Sequence, residues 1–273
     1  MRYEKMEITV PGQVEGPAVL NSYLLDEVSV APGKKRPAVI VCPGGAYARR
    51  SDRESEPVIM QFLAMGYHGF LLDYSVAPSR FPTSLMELAK AVAVLREHSD
   101  DWLVDPDRIV VCGFSAAGHL ACSLGVFWNQ EFVYQAIGRT ALEIRPSAML
   151  LGYPVITAGE FAHQGSIDNL LGEEASEEER QKVSLELHVT ADTVPAFIWH
   201  TYEDATVPVE NSMLLASALR REGVNFELHI YPHGGHGSSL ANEETSGHGQ
   251  YAGLNIPSCQ SWVGLAKTWL GGL

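Results

Sequence analysis

Two hydrophobic periods alternate along this chain. Residues 37–42, 67–74, 108–112 and 147–151 form near-continuous apolar runs of strand length. The first of them stops at Pro43-Gly44-Gly45, a turn signal. Between the runs the spacing changes. Residues 55–65 place Val58, Ile59, Phe62 and Leu63 at helical intervals, and Gly66 follows as a C-cap. Residues 83–98 repeat Leu85, Leu88, Ala89, Val92 and Leu95, which predicts an amphipathic helix. Residues 115–126 predict a helix rich in small side chains, and 196–201, 211–221, 226–231 and 258–270 continue the strand–helix order. Apolar strands alternating with helices predict an α/β fold, a mostly parallel sheet with helices on both faces. The opening segments, 7–10 and 19–30, hold no long helix and predict an antiparallel hairpin. Residues 157–192 break the alternation and are too long for an ordinary loop. They predict a small lid insertion over one end of the sheet. Its Glu173-Glu174 and Glu177-Glu178-Glu179 runs read as a solvated face. No repeat or linker divides the chain, so residues 1–273 are expected to form one domain.

Composition narrows the function classes. With 46% hydrophobic and 19% charged residues the chain is globular, not disordered. Nineteen Lys and Arg against 33 Asp and Glu give a net charge of −14. That charge argues against nucleic acid and anionic lipid as partners. No apolar stretch reaches the ~18 residues of a membrane span. The opening Met1-Arg-Tyr-Glu-Lys-Met-Glu7 has no apolar core of a signal peptide, so a soluble cytoplasmic protein is expected. Cys42, Cys112, Cys122 and Cys259 contain no C-x-x-C pair, and the first three sit in apolar stretches as small hydrophobes. The oligomeric state is not readable, and a homo-oligomer is left open.

The candidate chemistry follows the strands. Ile109-Val-Val-Cys-Gly-Phe-Ser115-Ala-Ala-Gly-His-Leu120 runs from a strand through Gly-x-Ser into a small-residue helix. That is the setting of a nucleophile elbow, with Ala117 where the pattern has its last Gly. A bare Gly-x-Ser is otherwise a turn or cap, so the flanking strand and helix carry the reading. Val41-Cys-Pro-Gly-Gly-Ala-Tyr47 follows an earlier strand. The backbone N–H groups of Gly45 and Ala46, with that of Ala116, are candidate oxyanion donors. Tyr47 is a candidate substrate-binding side chain that closes the acyl side. Asp204, after residues 196–201, is the candidate acid, ahead of Glu203. His200, on that strand, reads as a core histidine. His236, in Tyr231-Pro-His-Gly-Gly-His-Gly237, is the candidate base, with His233 as rival and His248 as surface loop. No third ligand accompanies the two histidines in a metal motif, so neither metal nor cofactor is expected.

The order Ser115, Asp204, His236 is that of the α/β-hydrolases. The stretches 42–47, 113–120, 200–212 and 231–237, with Asn169-Leu-Leu-Gly172 and residues 189–195, resemble the esterases of the acetyl esterase/lipase group. The likeness is greatest to the branch of acetyl xylan esterases and feruloyl-esterase-like proteins. It covers nearly the whole chain from about residue 35. The resemblance implies an α/β-hydrolase in which Ser115, Asp204 and His236 are nucleophile, acid and base. It also implies a small-molecule ester substrate, with acetylated sugars or xylo-oligosaccharides favoured. Pro43 stands where the hormone-sensitive-lipase branch has His, which weighs against a lipase. A peptidase, an aryl-ester hydrolase and a non-catalytic binding protein on the same fold are the alternatives.

Overall fold

The computed structural model describes residues 1–273, the side chain of residue 250 apart. Eight strands form one sheet: β1 Arg2–Ile8, β2 Ala18–Leu24, β3 Arg36–Cys42, β4 His68–Asp73, β5 Val104–Phe114, β6 Ala148–Gly152, β7 Ala196–Thr201 and β8 Phe226–Tyr231. Their spatial order is β1-β2-β4-β3-β5-β6-β7-β8. The run from β4 to β8 is parallel, whereas β1 pairs with β2 and β2 with β4 antiparallel. The leading hairpin therefore extends the sheet at one edge. β2 ends at Leu24, short of the expected residue 30, and the rest of that segment adds only a Val28–Ala31 bridge.

Helices cover both faces, as a parallel sheet requires because its strands are apolar on both sides. Along β3 the sides alternate: Ala38, Ile40 and Cys42 join one core, Val39 and Val41 the other. The first core is closed by α2 (Thr83–Glu97), α3 (Ala116–Phe127) and α8 (Glu210–Arg221). The second is closed by α1 (Glu56–Ala64) and α9 (Trp262–Gly271), the latter through Trp262, Ala266, Trp269 and Leu270. Two short helices, α4 (Glu131–Tyr134) and α5 (Ala141–Ile144), were not expected, because four residues are too few to show a helical period. The segment 157–192 carries α6 (Gln164–Leu171) and α7 (Glu177–Lys182). Ser176 and Glu179 form a capping box at the start of α7, so its acidic first turn has a local helix-starting role. No described helix is long and apolar enough to cross a membrane. All four cysteines are buried and unpaired.

The sheet order places β3 beside β5, while β4 and β6 lie outward on either side. Connections diverge there and leave a crevice at the carboxyl ends of the strands, where ligands bind in such sheets. The loops after β3 and β5 both open into it.

Candidate active site

β5 delivers Ser115 to that crevice through a strained turn. Ser115 has φ 55° and ψ −123°, a region that non-glycine residues rarely occupy. Gly113 makes the turn feasible. A Cβ there would lie 1.9 Å from the carbonyl oxygen of Ala117, inside the first turn of α3. Ala117, where the pattern has its last Gly, is fully buried at this turn. The backbone of Ser115 is fixed from both sides. Its N–H donates to Gly152 (3.0 Å), and its carbonyl accepts from Val155 (3.0 Å). The N-terminus of α3 points at the serine and favours negative charge there.

His236 and Asp204 arrive on the loops after β8 and β7. His236 Nε2 lies 2.8 Å from Ser115 Oγ, and Nδ1 lies 2.6 Å from Asp204 Oδ2. The carboxylate accepts the hydrogen bond of the Nδ1–H, which fixes the tautomer and leaves Nε2 to accept from the serine hydroxyl. The other oxygen of Asp204 accepts the N–H groups of Thr206 and Val207, each at 2.9 Å. Burial pushes the Asp204 carboxyl up, but hydrogen bonds from His200 and His236, the His236 charge and the Val207 N–H outweigh it. The group is held well below its ordinary range.

His200 is a core histidine, as its place on β7 suggested, and it does more. Its Nε2 lies 3.0 Å from the Val207 carbonyl, which can only accept, so Nε2 carries the proton. The same N–H reaches Asp204 Oδ2 at 3.3 Å, and Nδ1 accepts from Ser212 Oγ at 2.8 Å. The rival residues stand apart. His233 is exposed and bonds Glu203 through Nδ1 at 2.9 Å, and His248 is exposed. Among the described residues no three His, Cys, Asp or Glu side chains are grouped to hold a metal ion.

The loop after β3 lies against the serine. Gly45, Ala46 and Tyr47 all have positive φ (141°, 58° and 54°). Among the described residues no acceptor takes the N–H of Gly45 or Ala46. The expectation for Tyr47 is overturned. The left-handed backbone turns its ring into the core, where it is 3% exposed and its hydroxyl lies 3.0 Å from His119 Nδ1. Its ring packs edge-on to Tyr74 and His119, not against the cleft.

The cleft itself, about 330 Å³, is bordered by Ser115, His236, Ala46, Arg49, Arg53 and His163 among others. Three of these were not foreseen: the two arginines and His163, which comes from the 157–192 insertion. His163 Nδ1 accepts from the Ser166 N–H at the start of α6, and burial, then the charge of His236, pushes its pKa down. With Nδ1 accepting, the ring proton sits on Nε2. The guanidinium of Arg53 stacks 3.9 Å from the Tyr251 ring centre and donates to the carbonyls of Gly237 and Thr245. No spacing rule links residues 53, 163 and 236; only the folded loops bring them together.

The profile of the BD-FAE family matches residues 28–219, most of the sheet and the elbow. The chain belongs to the BD-FAE family. This BD-FAE chain is 36% identical over 222 residues to the endo-1,4-β-xylanase B of Butyrivibrio fibrisolvens, covering 77% of this chain and 34% of that protein. It is 27% identical over 209 residues to an acetylxylan esterase of Xylanibacter ruminicola, covering 73% and 40%. The chain thus spans only 34% and 40% of these two curated relatives. Solved structures match over the full length. An acetyl ester-xyloside bifunctional hydrolase from Caldicellulosiruptor lactoaceticus superposes with a TM-score of 0.86 at 35% identity, covering 98% of this chain and 96% of that one. A carboxylesterase from Lactobacillus plantarum gives 0.83 at 26%, covering 100% and 98%. The BD-FAE domain is a carboxylic ester hydrolase of the α/β-hydrolase fold.

Proposed function

We propose that this domain is a serine esterase that removes short acyl groups, acetyl above all, from hydroxylated alcohols such as acetylated xylo-oligosaccharides. The observation that carries the reading is the unbroken contact chain from Asp204 Oδ2 through His236 to Ser115 Oγ, at 2.6 and 2.8 Å. Ser115 Oγ attacks the ester carbonyl as His236 Nε2 takes its proton. The oxyanion that forms is met by the N–H of Ala116 and those of Gly45 and Ala46. His236 then gives the proton to the leaving alcohol, and water repeats the sequence on the acyl-enzyme.

The substrate class rests on the lining of the cleft and on the relatives. Arg49, Ser51, Arg53, His163 and Thr206 offer hydrogen bonds to a polyhydroxylated alcohol, and Ala46, Tyr251 and Leu254 add apolar surface beside them. A long acyl chain would gain about 0.8 kcal/mol per buried CH₂ only in an apolar slot. The acylated-sugar assignment agrees with the names of the xylan-active relatives.

One experiment tests the reading. Acetyl, butyryl and octanoyl p-nitrophenyl esters are compared for kcat/KM, with acetate release from acetylated xylo-oligosaccharides measured alongside, in the wild type and in Ser115→Ala. The expected result is a fall from acetyl to octanoyl, acetate release from the sugars, and a loss on the order of 10⁴-fold or more in the variant. Wild-type turnover in Ser115→Ala would refute the serine mechanism, and a rise toward octanoyl would refute the short-acyl assignment.

A further inference from the structure

Behind Ser115 lies a buried carboxylate to which the mechanism above gives no task. Glu54 sits just before α1 and is 3% exposed. Its Oε2 accepts the N–H of Gly44 at 2.7 Å, and its Oε1 accepts the hydroxyl of Tyr153 at 2.6 Å. The Tyr153 oxygen in turn accepts the N–H of Ser239, three residues after His236, at 2.9 Å. Ser239 Oγ returns to the carbonyl of Arg53 at 2.7 Å, which closes the circuit. Gly44 belongs to the oxyanion loop, Tyr153 follows β6, and Ser239 belongs to the histidine loop. One carboxylate therefore ties together three of the loops that converge on the serine.

The attachment point matters because of what surrounds it. A Cβ on Gly44 would lie 2.7 Å from the Phe114 carbonyl and 3.0 Å from Ser115 Cβ, so this peptide is pressed against the nucleophile. The candidate donors, Gly45 and Ala46, come next in the chain and hold positive φ. Such backbone persists only where the surroundings over-determine it. The Ser51 N–H on the Gly44 carbonyl (2.8 Å) and the Asn169 side chain on the Ala46 carbonyl (2.9 Å) fix other sides of the loop. Glu54 supplies the restraint on the Gly44 N–H. The Tyr153 ring also packs edge-on to the His236 ring, with centroids 5.0 Å apart.

We propose that Glu54 is a positioning residue: as a carboxylate accepting from both Gly44 and Tyr153, it sets the oxyanion donors and the His236 loop in register for the transition state. It borders the cleft, but both of its oxygens are taken by Gly44 and Tyr153. The Gly44 N–H can only donate, and the Tyr153 oxygen already accepts from Ser239, so two acceptor oxygens suit the site. Burial is the largest influence and holds the Glu54 carboxyl above its ordinary range, with the Tyr153 and Gly44 hydrogen bonds and the charges of His236 and Arg53 pulling the other way. A neutral amide cannot reproduce the arrangement, since only one of its two heads accepts.

The inference rests on the oxyanion loop serving the proposed hydrolysis, which the Ser115→Ala comparison tests separately. If the wild type hydrolyses p-nitrophenyl acetate and Ser115→Ala does not, the proposed function stands whatever Glu54 does. The test proper is Glu54→Gln. Oxyanion contacts mature only in the transition state, so kcat should fall about 10- to 100-fold with KM within about twofold. The inhibition constant of a trifluoromethyl ketone, whose adduct occupies the oxyanion position, should rise in proportion to the loss in kcat/KM. Tyr153→Phe removes one oxygen and retains the ring packing, so it serves if the first variant does not fold. It should show the same kcat-against-KM split, about 3- to 30-fold. Unchanged kcat in the variant that folds, or a loss in kcat with the ketone binding as before, would overturn the proposal.

Discussion

Each histidine here takes its role from the partner that fixes its ring. His236 has a carboxylate on Nδ1 and the serine hydroxyl on Nε2. His233, three residues earlier on the same glycine-rich loop, has an exposed Glu203 and open solvent. An exposed pair of this kind is worth little. His236→Ala should therefore lower kcat/KM on p-nitrophenyl acetate by about 10⁴-fold, whereas His233→Ala should stay within a few-fold of the wild type. Side-by-side turnover of the two variants decides it, and an essential His233 would reverse the roles. Residues 231–237 pointed to His236 with His233 as rival, because both histidines lie within reach of the same strand end. Asp204 and Glu203 separate on the same ground: one carboxylate is buried on the His236 ring and the other lies in solvent.

At the level of the element, the strand–turn–helix unit of β5 and α3 has one position that cannot vary and one that can. Gly113 has the Ala117 carbonyl where its Cβ would be, at 1.9 Å. Gly113→Ala must push the first turn of α3 off the strand. It should cost more than about 2 kcal/mol in a urea melt and remove most of the activity. Ala117→Gly restores the full Gly-x-Ser-x-Gly pattern but gives up helix propensity. It should lose no more than about 1 kcal/mol and keep its turnover. If Gly113→Ala melted like the wild type, the steric account of this turn would be wrong. The insertion is the second informative element. Its acidic run is a capped helix, and its contribution to the cleft is His163, whose Nδ1 bonds the first turn of α6.

For the molecule as a whole, buried histidines make stability sensitive to acid. Burial pushes His119 down to about 4 from 6.5, with its Nε2 on the Val183 carbonyl and Nδ1 near the Tyr47 hydroxyl. Burial, then the charge of Arg36, pushes His68 down to about 4 as well. A folded pKa below the unfolded one means that the unfolded chain binds more protons in between. Stability from these groups is thus complete above about pH 6.5 and falls as the pH drops toward 4. His119, fully buried, accounts for about 3 kcal/mol of that fall. Urea melts at pH 7.5 and 4.5 should show a smaller loss in His119→Gln than in the wild type. Equal losses would exclude His119 as a source. The comparison is between two chains of the same net charge, so the easing of the −14 repulsion on acidification cancels.

Much of this was legible in the sequence because it depends on period and order. Apolar runs of strand length and amphipathic helical spacing are local properties, and they gave the parallel sheet with its two helical faces. Gly113-Phe-Ser115 after a strand, followed in chain order by Asp204 and His236, marked the three residues that now stand in contact. What local pattern could not supply is direction and company. Tyr47 looked like a cleft residue by its place beside Gly45 and Ala46, yet a positive φ at each of these positions turns its ring into the core. Glu54, Tyr153 and Ser239 carry no motif and lie far apart in the chain, and Arg53 and His163 reach the cleft only because their loops end at the same sheet edge. A side chain's hydrogen-bond partners are set by which backbone groups folding leaves unpaired beside it, and that is a property of the assembled sheet edge, not of any stretch of sequence.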